Sequence, residues 1–504
     1  MADQTTILKA NPGIKRDGTK FDGDFYTDGQ WMRFQRGLPR KMGGYRSIVK
    51  TLTQTSRGFT NFAQQGLVYC HSGGSSTLER FTLDASKNSS SISSRTPVGL
   101  TASNDNRWMF DYAYDASALG TQVLAHVAPN GSFIDNDQGG QIFTGDALGT
   151  SALTSVSLPA GANATGGIVM LHPYLFYYGT GGIVGWSVAG TPTDLTGAGS
   201  GIARPWGQKI IKGMPLRGGA GSSPSGVFWA YDAVIRASFT GGTTVFQFDT
   251  IATDTSIMSA DSVIDYDGVF FWAGVDRFLM FNGVVREVPN QMNMNWFFDG
   301  LNDAQRSKVF AYKIPRYGEI WWCYPRGDAT ECTHAVIYNV RENSWYDTEL
   351  PIDNRVAGGH CNAYAAPILA AGSSKVWVHE QGVDSVDGQR VEPIHSFFET
   401  CDLSVIATKG QNATLRISAI EPDFIQSGNM RVQVTGRANA RAPEVYSREF
   451  EFPDVATESY DQIVMMKEQR REIRVKFSSD EVGGDYQMGQ IIAHIGTGDS
   501  RMIG

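Results

Sequence analysis

Residues 261–299 read DSVIDYDGVFFWAGVDRFLMFNGVVREVPNQMNMNWFFD, and this stretch shows a strand pattern that recurs along the chain. The run GVFFWAG at 268–274 is rich in aromatic and β-branched residues, which are typical of strands. Strand chemistry resumes at 277–281 and ends at Asn282-Gly283. Because Asn and Gly both accept a positive φ, this dipeptide predicts a tight hairpin into a third strand at 284–288. Three or four such strands form one antiparallel sheet, which is only marginally stable alone.

Similar apolar cores recur along the chain at a period of about 50 residues. The intervals between their starts are 55, 52, 53, 42, 50 and 56 residues. Four-stranded propeller blades repeat at roughly 40–50 residues, whereas helical solenoids show a 3.6-residue periodicity. The pattern predicts an all-β protein with a β-propeller of six or seven blades, and a large β-sandwich is the alternative. The seven cores are 67–71 (LVYCH), 122–127 (QVLAHV), 174–178 (YLFYY), 227–230 (VFWA), 269–273 (VFFWA), 319–324 (EIWWCY) and 375–379 (KVWVH).

Large aromatic residues within these cores are predicted to pack one blade against the next, since aromatic side chains bury the most apolar surface. One departure from the β pattern is expected at 301–309, where a short helix follows the aromatic cluster at 296–298. The candidate blade-core residues are Trp229, Phe271, Trp272, Phe281, Trp322 and Trp377.

Beyond about residue 400 the period stops. Apolar and polar residues alternate at 414–418, 430–434, 445–452, 473–477 and 490–495. This alternation is typical of half-buried antiparallel strands, and it predicts a separate, smaller β-domain. The predicted division is an N-terminal segment at 1–55, a propeller at 56–400 and a C-terminal β-domain at 401–504.

The composition excludes several classes of protein. The 504 residues include 57 glycines, carry a net charge of −8 and are 19% charged, which fits a turn-rich β-protein and does not suggest a nucleic-acid binder. The five cysteines are scattered, so neither a disulfide framework nor a zinc site is expected, and a reducing place of synthesis fits best. The N-terminus has no signal-peptide core, and no apolar run is long enough for a membrane helix.

A basic segment stands out near the N-terminus. Residues 31–50 contain six basic side chains and no acidic one, interleaved with Trp31, Phe34 and Tyr45. One interpretation is a solvated surface. The other is a contact with an acidic partner, a neighbouring subunit or a phosphate backbone, and the aromatic residues favour such a structured contact.

Catalytic and cofactor-binding motifs are missing from the sequence. No G-x-S-x-G elbow, HxH or HExxH pair, or GxxxxGK[ST] loop occurs in a suitable context. Asp261, Asp265, Asp267 and Asp276 could form a glycosidase pair in principle, but aspartates beside glycine at strand ends are typical turn residues. The sequence therefore predicts no catalytic, cofactor-binding or metal-binding residues, no cofactor and no enzymatic activity.

Several phrases resemble the tail hub or nozzle proteins of short-tailed bacteriophages, called packaged-DNA stabilisation proteins in some phages. The resemblance covers about residues 30–490. The phrases are WMRF at 31–34, GLPRKMGGY at 37–45, the hairpin at 268–282, WFF at 296–298, VWVHEQGVD at 376–384, IEPDF at 420–424, GNMR at 428–431 and GGDYQMG at 483–489.

The resemblance implies a β-propeller beside a platform domain formed by both ends of the chain. It further implies a homohexameric ring below the portal and its adaptor, in a virion assembled in the bacterial cytoplasm. The ring would retain packaged DNA, form the ejection channel without binding the double-stranded DNA specifically, and dock tail fibres or spikes. An acidic balance suits such a channel, because phosphate contacts from basic residues tighten binding.

The basic segment would then supply contacts between subunits or with the adaptor, since aromatic and arginine residues dominate interface hot spots. The candidate contact residues are Trp31, Arg33, Phe34, Arg36, Arg40 and Lys41.

Two other functions stay open at this stage. A carbohydrate-binding or carbohydrate-cleaving propeller of a phage tail is one, although the Ser-x-Asp-x-Gly-x-Thr-Trp boxes of sialidase-like propellers are missing. A cellular protein-interaction propeller is the other.

Overall fold

The computed structural model describes residues 4–21, 23–129, 139–216, 224–242, 244–403, 414–439, 441–454 and 463–497. Short strands precede the first blade, and most of them pair with the far end of the chain. They are β1 (Gln4–Leu8), β2 (Asn11–Ile14), β3 (Phe25–Tyr26), β4 (Asp28–Gln30), β5 (Met32–Gln35), β6 (Leu38–Lys41) and β7 (Tyr45–Thr51).

Six antiparallel four-stranded sheets then follow in chain order, each made of consecutive strands, and we number them blades 1 to 6. Blade 1 has β8 (Phe59–Gln64), β9 (Leu67–Gly73), β10 (Leu78–Leu83) and β11 (Ser93–Ser94); blade 2 has β12 (Asn106–Asp115), β13 (Gly120–Pro129), β14 (Gln141–Asp146) and β15 (Thr154–Val156); blade 3 has β16 (Gly167–Leu171), β17 (Tyr174–Tyr178), β18 (Val184–Trp186) and β19 (Gly201–Ala203). Blade 4 has β20 (Ile210–Pro215), β21 (Ser225–Ala230), β22 (Ala233–Phe239) and β23 (Phe246–Thr253); blade 5 has β24 (Ile264–Tyr266), β25 (Val269–Ala273), β26 (Phe278–Phe281) and β27 (Val285–Glu287); blade 6 has β28 (Phe310–Ile314), β29 (Glu319–Tyr324), β30 (His334–Asn339) and β31 (Ser344–Glu349).

A seventh blade closes the ring with a strand from the other end of the chain. It contains β32 (Ala357–Cys361), β33 (Ala366–Ala370) and β34 (Lys375–His379), and β7 pairs antiparallel with β34 in the fourth position. The hairpin of β35 (Ser385–Asp387) and β36 (Arg390–Glu392) extends this sheet beyond β7. The first strand of blade 7 contacts the first strands of blades 6 and 1. The predicted propeller is confirmed, and it has seven blades.

Six of the seven repeated sequence cores lie in the second strand of their blade, where both faces pack against neighbouring sheets. The core at 375–379 instead forms β34, the third strand of blade 7. The second strand there is β33, whose sequence APILA carries a proline and two alanines and so gives a weaker strand signal.

The stretch at 261–299 forms blade 5 with two local differences. The loop between β26 and β27 has three residues rather than two, and Gly283 supplies the positive φ of 110°. The aromatic cluster lies inside helix α1 (Met294–Gly300), while the expected helix at 301–309 is a 3-10 turn, Asp303–Lys308. The helix begins at residue 294, before the predicted position, because the Asp17 carboxylate accepts hydrogen bonds from the Asn295 and Trp296 amides in its first turn. Further 3-10 turns are Thr180–Gly182 and Ala260–Ser262.

Both ends of the chain form a second unit, the platform, which consists of two six-stranded sheets. Its C-terminal strands are β37 (Ser396–Glu399), β38 (Leu415–Ser427), β39 (Met430–Arg437), β40 (Val445–Tyr446), β41 (Phe450–Phe452), β42 (Val464–Arg470), β43 (Glu472–Ser479) and β44 (Asp485–Thr497). The first sheet has the order β42-β38-β44-β6-β5, with β1 paired to β44. The second sheet has the order β4-β37-β43-β39-β40, with β41 paired to β39. Phe424 of the first sheet packs against Phe477 of the second with ring centroids 5.5 Å apart. The platform is therefore a β-sandwich.

The boundaries of the two units differ from the predicted ones. Strand β37 lies before residue 400 but pairs with β4 and β43 of the platform. Strand β7 lies within the first 55 residues but belongs to the propeller. The sequence does not reveal either exchange because the pairing partners lie far away along the chain.

Candidate functional site

Trp31 lies where the platform meets blades 6 and 7, a region that we call the joint. Its side chain is buried, with ring centroids 6.3 Å from Trp321 and 5.6 Å from Tyr45. The Trp31 amide donates to Thr348 Oγ1 at 3.0 Å, and the indole donates to the Gly43 carbonyl at 3.1 Å. Phe34 is also buried and packs edge-on against Tyr346 of blade 6, with ring centroids 5.5 Å apart. Both aromatic residues thus join the two units of one chain.

Arg33 forms the electrostatic centre of the joint. Its guanidinium is fully buried and makes a bidentate pair with Glu380, at 2.9 and 2.6 Å. Its Nε lies 2.9 Å from Glu319 Oε1 as an ion pair without hydrogen-bond geometry. Tyr317 stacks beneath it, 3.8 Å from ring centroid to guanidinium carbon. One cation therefore holds two carboxylates of blades 6 and 7 in a dry environment.

Glu319 is buried among three polar partners. The Trp321 indole and the Tyr346 hydroxyl donate to its carboxylate at 2.9 and 2.8 Å. Burial raises the pKa of Glu319, and the nearby Arg33 opposes that shift. The carboxylate consequently depends on Arg33 to stay charged.

The remaining predicted contact residues divide between buried and exposed positions. Lys41 is buried and donates to the Gly484 carbonyl at 2.7 Å, and burial lowers its pKa. Arg40 is half-buried and donates to Gln35, while Arg36 is exposed.

The prediction that Trp31, Arg33, Phe34 and Lys41 contact another subunit or an adaptor is therefore wrong. Their partners lie within the same chain, because the platform covers this segment from one side and blades 6 and 7 from the other. Arg36 and Arg40 are the members of that set that reach the surface, and their contact with a partner stays a prediction.

All six candidate blade-core residues are buried. Trp229 of blade 4 packs edge-on against Trp272 of blade 5 with centroids 5.6 Å apart, in a cluster that includes Phe281. Phe271 and Trp322 belong to the cluster between blades 5 and 6. Trp377 differs from the others because it faces the joint, 5.3 Å from Tyr45.

Exposed apolar side chains are concentrated on the platform. Within the described residues, seven of the fifteen exposed large hydrophobic side chains belong to it, although the propeller is much larger. An excess of exposed apolar side chains on one unit makes that unit a candidate for contact with other proteins. The seven are Ile7, Ile425, Val445, Tyr446, Ile463, Met465 and Val482.

The propeller axis carries a channel lined by residues in or next to the first strands of all seven blades. Its cavity volume is about 390 Å³. Each blade begins with its innermost strand, so the first strands run in the same direction and their starts meet at one end. Arg57, Arg107 and Lys308 lie at or just before these starts, and we call this group the cation end. The other charged lining residues are Asp111, Lys212, Asp261 and Asp265.

The cation end has fewer carboxylates than cations. Glu331 pairs with Arg57 at 2.9 Å and with Lys308 at 3.0 Å. Arg107 forms no ion pair within 4 Å among the described residues, and its Nε is buried without a hydrogen-bond partner. Burial and the nearby Arg57 lower the pKa of Arg107. Sequence reasoning missed this group because its members stand about 50 or more residues apart and share no motif.

Catalytic geometry is not evident elsewhere. In the part of the chain that the structure describes, no three His, Cys, Asp or Glu side chains are placed to hold a metal ion. His71 and His126 are buried in blades 1 and 2, where burial lowers their pKa to about 3 and about 4. Asp265 accepts the Gly268 amide, which is the turn role predicted for it. Over the same residues, no helix is long and apolar enough to cross a membrane.

Comparisons with known proteins found solved structures of similar fold but no matching protein family. No protein-family model matches the sequence, and no curated protein matches it. The WD40 β-propeller domain of Doa1 aligns with a TM-score of 0.41 at 12% identity, covering 67% of this chain and 97% of that one. A chain of the Mitotic Checkpoint Complex aligns with a TM-score of 0.39 at 10% identity, covering 75% and 94%. The assignment as a β-propeller rests on the sheet topology of this chain.

Proposed function

We propose that this protein is a structural, non-enzymatic subunit of a short phage tail. In this role it forms a ring, with six copies, below the portal and adaptor, retains packaged DNA, forms its exit channel and provides docking sites for fibres or spikes. The resemblance at residues 31–45 and 420–489 is the source of these partners.

The observation that carries the proposal is the platform. The resemblance implies a platform made by both chain ends beside a propeller, and this chain has such a β-sandwich, fastened to blades 6 and 7 through Arg33. A continuous buried core runs from the platform into those blades. The two units therefore share one buried core, which suits a load-bearing ring subunit.

The distribution of exposed apolar side chains supports self-association through the platform. Ile425 is 76% exposed and Met465 is 69% exposed, and both belong to the first platform sheet. Strand β42, which carries Met465, is also an edge of that sheet. An edge strand with exposed apolar residues is a ready template for pairing with another chain.

Molar mass and electron images of the purified protein test the proposal. Six copies of a 55.0 kDa chain weigh about 330 kDa, and head-to-tail contacts give a ring when the rotation between subunits closes. We expect a ring with an open bore, alone or on the portal and adaptor. A 55.0 kDa monomer at high concentration that also fails to bind the portal and adaptor would contradict the proposal.

Matched variants locate the ring contact. The double variant Ile425→Glu/Met465→Glu should shift the protein towards monomer, because it places charges in an apolar contact. Leu119→Glu, which changes a 79% exposed residue of blade 2, should leave the ring intact. Rings that survive the double variant but are lost in Leu119→Glu would place the contact on the propeller instead.

A further inference from the structure

A second possible site lies in the propeller channel, away from the platform. Arg107 is the second residue of β12 and lines the channel cavity. An unpaired guanidinium inside a protein is costly, because the surroundings solvate charge less well than water does. The cost is offset when an anion enters the cavity beside it.

The charges around Arg107 set the charge of that anion. Arg57, Arg107 and Lys308 contribute three positive charges, and Glu331 is shared between two of them. Asp261, the next acidic side chain, pairs with Lys212 at 3.7 Å and is 39% exposed. Asp111 and Asp265 also line the cavity, and Asp261 acts on Arg107, so the positive surplus belongs only to the group of Arg57, Arg107 and Lys308 with Glu331. This local surplus suits an anion such as a phosphate group.

The donor types and the available space point to phosphate chemistry. Two arginines and one lysine approach from three different blades, and guanidinium forks match the oxygens of a phosphate group. A volume of about 390 Å³ exceeds that of inorganic phosphate and lies within the range of small-molecule pockets. We propose that the cation end of the propeller channel binds a phosphate group, either as the free ion or as the ester group of a small molecule.

Calorimetric titration at constant ionic strength tests this site. We expect inorganic phosphate to bind the wild-type protein at one equivalent per chain. Arg107→Gln should weaken binding at least tenfold, whereas Arg107→Lys should retain part of it. Arg236→Gln, an exposed arginine in the third strand of blade 4, is the matched control and should leave the affinity unchanged. Equal affinity in the wild type and Arg107→Gln, or no saturable binding, would overturn the proposal.

Two further measurements sharpen the result. Glu331→Gln removes the competing carboxylate, so it should bind phosphate at least threefold more tightly, and this variant serves if Arg107→Gln does not fold. Weaker binding by Glu331→Gln would contradict the proposal. Adenosine monophosphate and adenosine distinguish the sources: tighter binding of the monophosphate than of phosphate indicates an ester ligand, and equal binding indicates the free ion. Binding of adenosine as tight as that of its monophosphate would exclude phosphate recognition.

Discussion

The contacts between blades and the contacts at the joint hold this protein together in different ways. Blades 4 and 5 meet through aromatic rings such as Trp229 and Trp272, with no charge at the centre of the contact. The joint has aromatic rings too, but its centre is Arg33 between Glu319 and Glu380. Apolar contacts tolerate shifts in position, whereas a buried bidentate pair requires one geometry. We therefore expect the joint to fix the orientation of the platform, and the contacts between blades to contribute most of the propeller's free energy of unfolding.

The largest effect should come from the closing strand of blade 7. Ile48 in β7 is buried against Val376 and Val378, so Ile48→Asp places an unpaired charge in the core and should cost more than about 4 kcal/mol. Circular dichroism and solubility should show loss of the folded chain. Lys50→Asp, on an exposed residue of the same strand, should change stability by less than about 0.5 kcal/mol. Similar melting curves for the two variants would mean that β7 does not close the propeller.

Arg33→Ala tests the joint directly. It leaves the buried Glu319 and the partly exposed Glu380 without a cation, which should lower the free energy of unfolding by about 3–5 kcal/mol. The deficit relative to wild type should shrink as the pH falls, because burial raises the pKa of Glu319 and its protonation removes that buried charge. Denaturant titrations at several pH values measure both effects. Arg36→Ala is the control in the same segment, and an equal loss there would show that burial of Arg33 does not matter.

Trp272→Ala tests the blade contacts. Removing this buried indole from the blade 4 and 5 cluster should cost about 3 kcal/mol or slightly more. The loss should not depend on pH, unlike that of Arg33→Ala, since no charge is involved. Tyr114→Ala, at an aromatic residue that is 54% exposed, is the control and should change the free energy of unfolding very little. A loss of stability that depends on pH for Trp272→Ala would contradict the difference proposed between the blade contacts and the joint.

The smallest effect concerns buried histidine in blade 1. The pKa of His71 falls to about 3 in the folded chain, below its ordinary value of 6.5, so the unfolded chain binds the proton more readily. Stability is therefore full above pH 6.5 and decreases as the pH falls towards 3, by up to about 1.4 kcal/mol per pH unit. His71→Gln should flatten the decline in melting temperature between pH 7 and 5. The same substitution at the exposed His172 is the control. An identical decline of melting temperature with pH in wild type and His71→Gln would contradict the lowered pKa of His71.

The propeller was predictable from sequence because its second strands are apolar on both faces and repeat locally. A run such as VFFWA in β25 needs no distant partner to be recognised as a strand. The joint was not predictable, since Arg33 meets Glu380 from 347 residues away and an isolated arginine looks like a surface residue. The cation end was not predictable for the same reason, since its members come together only when the seven blades close into the propeller. What stays a prediction is the assembly, because it depends on surfaces of other molecules.

Closure of blade 7 by β7 also affects how the chain is made. Thr51 pairs with Lys375, so about 320 residues must be synthesised after β7 before its partner strand exists. At roughly 5–20 residues per second, that interval is roughly 16–65 s on the ribosome. During this time β1, β4 and β7 have no pairing partners and β5 and β6 can pair only with each other, while blades 1 to 6 can already form. The nascent chain is then an open arc with an unpaired strand near its leading end, a form that molecular chaperones would be expected to bind.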